Sequence, residues 1–102
     1  MANVFKNYIA NGVGTSPTGL TCSSGVITII GMTIYNTTGA NVKATSYIGA
    51  RYVTYDSIIV PGATLVLIGG DQKVVLETGD SLLTYSDVNS SLDIIISYMQ
   101  TT

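Results

Sequence analysis

The sequence predicts an all-β fold, an antiparallel β-sandwich with a jelly-roll-like arrangement of strands. First, residues that favour strands (Val, Ile, Thr and Tyr) dominate, and good helix formers are sparse. Second, apolar and polar side chains alternate with a period of two at residues 42–48 and 92–98, which is the pattern of half-buried strands. Third, turn-forming residues interrupt these runs at short, regular intervals, as is typical of sandwiches and jelly rolls.

The turn signals divide the chain of 102 residues into eight strands within one domain, residues 1–102. Gly, Pro, Asn and Asp mark the connections at residues 36–41, 61–62, 69–71, 77–80 and 86–91. Residues 12–24 are rich in Gly, Ser and Thr, and we expect them to form an extended loop that lies across another surface. The predicted strands cover about residues 3–10, 25–35, 41–50, 51–60, 63–69, 73–77, 81–86 and 92–99.

The turn at residues 77–80 has a clear structural interpretation. Leu76 and Leu82 are predicted to point inward from the two strands that it joins. Gly79 can adopt a positive φ, and the Asp80 carboxylate can accept hydrogen bonds from nearby backbone N–H groups. We therefore assign Asp80 to the turn and not to a metal or catalytic site.

Three predicted strands carry large apolar residues on both faces, at residues 26–30, 65–68 and 94–96. An antiparallel sheet with one wet face should alternate cleanly, so these strands need a second cover. A neighbouring subunit is the simplest cover, and partial filling by Thr-rich strands is the alternative. The N-terminal segment, about residues 1–15, is predicted to be an arm that adds a strand to a neighbour, with Phe5, Tyr8 and Ile9 as candidate contacts.

Charged residues make up only 10% of the chain, against about 25% in typical soluble domains, and none occurs between Lys6 and Lys43. The net charge of −2 and four scattered Lys and Arg residues argue against nucleic-acid binding. Without histidine, the sequence offers no Ser–His nucleophile and no Cys/His zinc site, and most carboxylates fall in turns. We predict a protein that is not an enzyme, with no metal and no cofactor.

The apolar runs are far shorter than the ~20 residues that span a bilayer, so no membrane association is predicted. The N-terminus has no long apolar segment of the kind found in signal peptides. The single cysteine, Cys22, cannot form an internal disulfide, in keeping with synthesis in a reducing cytoplasm.

Four residues of one short span, Tyr47, Arg51, Tyr52 and Tyr55, are candidate contact residues. Tyr and Arg are enriched at interface hot spots because each buries a large area while keeping a polar tip. If residues 49–51 form a hairpin corner, Tyr47 and Tyr55 come close together. Two alternatives stay open, namely ordinary outward-facing strand tyrosines and a platform for sugar stacking.

Four segments resemble small virion structural proteins of tailed bacteriophages. They are FKNYIANGVG at residues 5–14, IGMTIYNTT at 30–38, GGDQKVVLETGDSL at 69–82 and LDIIISY at 92–98. The resemblance covers both ends of the chain and thins between Val42 and Leu65.

This resemblance implies a virion part, either a capsid decoration (cement) protein or a head–tail or fibre component. Capsid decoration, with the major capsid protein as the partner, is the preferred role. We expect such a protein to associate as a homo-oligomer, a trimer, to be made in the host cytoplasm and to end on the capsid surface of the virion. A tail, neck or fibre component, or a carbohydrate-binding module at a fibre tip using Tyr47, Tyr52 and Tyr55, are the alternatives.

Overall fold

The computed structural model describes residues 3–69 and 73–101, which form nine strands and no helix. Each of the eight predicted strands overlaps one of them. The strands are β1 (Asn3–Val13), β2 (Thr18–Thr21), β3 (Val26–Asn36), β4 (Val42–Ile48), β5 (Arg51–Ile59), β6 (Thr64–Ile68), β7 (Val74–Glu77), β8 (Ser81–Ser86) and β9 (Leu92–Thr101).

The strands form two antiparallel sheets that face each other. One sheet has the order β1-β9-β3, with β6 and β7 both pairing with the far side of β3, and the other has the order β2-β8-β4-β5. The pairs are nested along the chain, since β1 pairs with β9, β2 with β8, β3 with β6 and β7, and β4 with β5. The strands thus form an antiparallel sandwich, as predicted, and the jelly-roll-like arrangement stays a prediction.

The core lies between the two sheets and is built largely from β3 and β9. Ile27, Ile29 and Ile34 of β3 and Ile94 and Ile96 of β9 are fully buried. Burying each such side chain contributes roughly 1.5–3 kcal/mol. The facing sheet presents several smaller residues to this core, among them Val42, Ala44, Ser46 and Thr84, together with Leu82.

A β-bulge at Ile30 allows β3 to direct alternate side chains into the core along its whole length. Ile29 pairs with Tyr98 and Gly31 with Ser97, so Ile30 is an extra residue without a partner on β9. Buried positions are odd-numbered before the bulge, as at Ile29, and even-numbered after it, as at Met32. The run at residues 26–30 does carry apolar residues on both faces, since Ile27 and Ile29 are buried while Val26 and Ile30 are exposed. The bulge lets the buried positions continue at Met32 and Ile34.

The corner between β7 and β8 has the predicted geometry. Gly79 has a φ of 97°, and the Asp80 carboxylate accepts a 3.0 Å hydrogen bond from the backbone N–H of Glu77. Leu76 and Leu82 are fully buried, as expected. The corner is also tied to the end of β2, because the N–H of Gly79 donates to the carbonyl of Cys22 at 2.8 Å.

Residues 12–24 differ from the loop that the sequence predicts, since Thr18–Thr21 forms β2. This strand pairs with β8, with Gly19 opposite Leu83 and Leu20 opposite Leu82. Gly19, which favours a loop in sequence, is required by close approach, because a Cβ there would overlap the carbonyl oxygen of Leu82.

The predicted N-terminal arm is also different in the structure. Residues 3–13 form β1, which pairs with β9 from Asn3 opposite Thr101 to Val13 opposite Leu92. The segment does act as an added strand. It pairs with β9 of its own chain and not with a neighbouring subunit. Met1 and Ala2 lie outside the described residues.

Candidate interaction surfaces

The outer face of the five-stranded sheet is apolar. The strand register places Ile9, Ile95, Thr33 and Val66 in one row across the sheet. A second row lies four residues away along β1 and β9, and the row of Asn7, Ser97 and Gly31 separates the two. That second row consists of Phe5, Met99, Thr28 and Val75. We call these three rows the apolar face.

The side chains of the apolar face are strongly exposed. Phe5 is 73% exposed, Val66 64% and Ile9 61%, and Val75 and Ile95 are about half exposed. The three rows contain no charged residue, and four strands at the usual spacing give them an area on the order of 400 Å². The two outer rows are largely apolar and the middle row is polar but uncharged, and exposed apolar surface of this extent on a domain is often functional.

Of the strands at the sheet edges, β1 is the one open to a further strand. Strand β2 has four residues, and the edge opposite β1 is divided between the short strands β6 and β7. Strand β5 is interrupted by register shifts, and its Asp56 has a φ of 48°. In contrast, β1 pairs regularly with β9 from Asn3 to Ala10. Short or bulged edges resist strand addition, and a long regular edge permits it.

Four tyrosines line the outer face of the other sheet. Tyr47 on β4 lies directly opposite Tyr52 on β5, with ring centroids 6.4 Å apart, and its ring is 6.2 Å from that of Tyr85 on β8. Tyr52 and Tyr55 are 4.8 Å apart. All three pairs meet edge to face, the favourable geometry for aromatic rings. We call these four residues the tyrosine cluster.

Two local features of the backbone assemble the tyrosine cluster. Gly49 and Ala50 form a two-residue turn between β4 and β5, and the φ of 58° at Gly49 is that of a type II′ turn. The pairs Ala44–Ser57, Ser46–Thr54 and Tyr47–Tyr52 show that β5 gains extra residues relative to β4. Tyr52 and Tyr55 therefore share a face, although residues three apart on a regular strand do not.

Of the seven residues selected from the sequence, five lie on the two outer faces of the sandwich. Phe5 and Ile9 lie on the apolar face, whereas Tyr8 lies opposite Ile96 and packs against the core. Arg51 is exposed at the start of β5, opposite the core-packed Ile48, and strand alternation places it on the other face from Tyr52. Tyr52, and not Tyr55, is the direct neighbour of Tyr47. Their part in an interface stays a prediction.

Four residues of these surfaces were not among the selected contacts. Val75 and Tyr85 were not singled out, and Val66 and Ile95 were included only within the two-sided runs at residues 65–68 and 94–96. Alternation alone shows which residues of a strand share a face. It does not show which strands are neighbours, so it could not place the four beside Ile9, Phe5 or Tyr47. Cross-strand pairing was the missing information.

Within residues 3–69 and 73–101, no group of three or more His, Cys, Asp or Glu side chains could hold a metal ion. The described part of the chain also contains no helix that could span a membrane.

No protein-family model matches the sequence, and no curated protein matches it. Among solved structures, that of a Bacillus endospore appendage, from a novel family of disulfide-linked pili, is similar to this chain. The alignment has a TM-score of 0.52 and covers 97% of this chain and 88% of that chain, at 10% sequence identity. At this identity the likeness is one of fold, and with the two sheets it confirms the all-β sandwich.

Proposed function

We propose that this chain is a non-enzymatic structural subunit that functions by assembling with further copies of itself. The observation that carries the proposal is the apolar face, where Phe5, Ile9 and Val66 are all more than half exposed. Leaving such a surface in water is unfavourable, and its burial contributes roughly 25 cal/mol for each Å² removed from water.

A second copy of the chain is the occupant that this surface suits. The rows of the apolar face carry no charge, so two copies can stack sheet on sheet without burying an unpaired ion. A standard interface buries about 800 Å² on each partner. The apolar face would form the centre of such an interface, and the more polar ends of the same sheet, which include Asp93 and Glu77, would form its rim. The apolar face thus predicts a homo-oligomer, and the trimer is the form that we propose from the resemblance to capsid decoration proteins.

In its finer form, the proposal is that the chain is a capsid decoration protein of a tailed bacteriophage. The sequence segments at residues 5–14, 30–38, 69–82 and 92–98 support this role, and the open edge of β1 offers a place where a strand of the major capsid protein could pair. The protein would be made in the host cytoplasm and bind only the assembled lattice, which stabilises the particle by mass action.

A subunit of a filament, such as a tail, neck or fibre component, is the second candidate. The fold likeness to a pilus of Bacillus endospores favours it. The pili of that family are linked by disulfides, and this chain could not be linked in a filament in that way. A single cysteine per chain can join two chains at most, and Cys22 is fully buried, so a filament of this chain would be held by non-covalent contacts.

Sedimentation velocity of the purified chain tests the assembly proposal. We expect the wild-type protein to sediment as an oligomer and Val66→Lys, which puts a charge in the apolar face, to sediment as a monomer. Val88→Lys is the matched control, because Val88 is exposed in the loop between β8 and β9, outside that face. A wild-type monomer at micromolar concentration, or an oligomer unaffected by Val66→Lys, would contradict the proposal.

The location of the chain in purified particles separates the two finer roles. Hundreds of copies spread over the head, seen by mass spectrometry and by cryo-electron microscopy, would support decoration. A few copies at the tail or neck, or filaments formed by the purified protein, would support the second candidate and overturn the first.

A further inference from the structure

The tyrosine cluster surrounds a depression that the assembly proposal does not use. The depression has a volume of about 250 Å³ and is lined by Tyr47, Tyr52 and Tyr85 together with Gly49 and Ala50. The two small residues of the β4–β5 turn leave the space open, and the three rings form its walls. The depression lies on the sheet opposite the apolar face.

The rings of the cluster are held in place before any ligand arrives. Tyr47 and Tyr85 are half-buried, and Tyr47 contacts an aromatic ring on each side. Tyr52 and Tyr55 are 61% and 60% exposed, so they offer aromatic surface to solvent while they brace each other edge to face. A site of this kind loses little side-chain entropy on binding.

The chemistry of the lining selects a neutral ligand. All five lining residues are uncharged, which disfavours nucleotides, phosphates and acidic peptides. Each tyrosine combines an apolar ring with a hydroxyl that both donates and accepts hydrogen bonds. The volume is also below the roughly 300–1,000 Å³ of sites for drug-sized ligands, so it suits a single small ring.

From this geometry we propose that the tyrosine cluster binds a neutral glycan, one sugar ring of which occupies the depression. A pyranose has an apolar C–H face, which packs on a tyrosine ring, and a rim of hydroxyls, which bond to phenol and backbone groups. A proline-rich peptide also packs on tyrosines, but it requires a groove that extends over several residues. A local depression at one turn fits a sugar better.

Because the chain has seven tyrosines and no tryptophan, binding can be followed by tyrosine fluorescence, with saturation-transfer NMR as the second readout. The probes are cellotetraose, maltotetraose and chitotetraose at up to about 10 mM, a range that detects weak sites. We expect at least one of them to bind. Tyr52→Ala should weaken that binding about tenfold or more, and Tyr52→Phe, which keeps the ring, should weaken it less.

Two further variants keep the test decisive. Ala50→Leu fills the depression while leaving every tyrosine in place, and it should also abolish binding. Tyr35→Ala removes an exposed tyrosine from the other sheet and should leave the affinity unchanged. Binding by none of the three probes, or binding unaffected by Tyr52→Ala and Ala50→Leu, would overturn the proposal. A decaproline peptide that binds in their place would overturn it as well.

The glycan proposal and the assembly proposal fail independently. Val66→Lys acts on the apolar face and should not change the affinity for the oligosaccharide. Tyr52→Ala acts on the opposite sheet and should not change the sedimentation coefficient.

Discussion

The side-chain nitrogen of the buried Asn36 donates a 2.7 Å hydrogen bond to the backbone carbonyl of Ile59, which ties the end of β3 to the end of β5. The same nitrogen donates to the carbonyl of Ala40 at 2.8 Å. The side-chain oxygen accepts two hydrogen bonds from Thr38, one from its N–H and one from its hydroxyl. This one amide thus connects the two sheets and shapes the loop between β3 and β4.

Asn36→Ala should destabilise the protein by about 2–4 kcal/mol. The substitution leaves the carbonyl of Ile59 and the N–H of Thr38 without their partners, and each unpaired buried group costs about 1–3 kcal/mol. Urea unfolding followed by circular dichroism measures the change. Asn41→Ala, in the exposed part of the same loop, should stay within about 0.5 kcal/mol of wild type. Equal effects of the two substitutions would contradict this account of Asn36.

Deletion of Ile30 should prevent cooperative folding. Without the bulge, a one-residue slip turns either Ile27 and Ile29 or Met32 and Ile34 away from the core. Ile30→Thr keeps the extra residue and changes only a side chain at the surface, so we expect it to cost less than about 1 kcal/mol. Thermal melts of both variants test the bulge, and a deletion variant that melts like wild type would contradict it.

Gly19→Ala should lower stability by about 1–3 kcal/mol, the usual cost of forcing an atom into a packed site. The new Cβ would overlap the carbonyl oxygen of Leu82 and lie 2.9 Å from the Cα of Leu83, so β2 must move away from β8. Gly39→Ala is the control, because nothing lies within 4 Å of a Cβ at that position. The midpoint of urea unfolding should separate the two variants clearly.

The fold class and most strand positions could be predicted because period-two alternation reports burial directly, as in β4 and β9. Alternation could not predict the elements whose position depends on hydrogen bonding to a strand that is distant in sequence. Thr18–Thr21 is short and lies in a segment rich in Gly and Ser, which favours a loop, and it becomes β2 because β8 offers it an edge. The N-terminal segment was correctly predicted as a strand, but its partner β9 is more than 80 residues away in sequence, and no local pattern encodes that pairing.

The candidate surfaces were predictable to a lesser degree. Clustering in sequence identified Tyr47, Tyr52 and Tyr55, since a hairpin brings close residues together. Tyr85 joins them only through the β4–β8 pairing. Tyr8 was selected for its residue type and its place in the predicted arm, yet the alternation of β1 turns it toward the core while Phe5 and Ile9 face outward.

Cys22 should be unreactive in the folded protein. Its side chain is fully buried, and its Sγ lies 3.5 Å from the carbonyl oxygens of Ser24 and Gly25. Reaction with Ellman's reagent should be slow in buffer and rapid in concentrated urea, because thiol chemistry requires access. Non-reducing gels should show the monomer band, and a reducing agent should not alter the oligomer. A disulfide-linked ladder would contradict this prediction.

The apolar face also has a thermal consequence. Hydrophobic association weakens on cooling, because the burial of apolar surface has little enthalpy near room temperature and a large heat-capacity change. An oligomer joined through Phe5, Ile9 and Val66 should therefore loosen on ice and re-form on warming, which sedimentation at the two temperatures would measure. A protein that assembles in this way would be easiest to take apart in the cold.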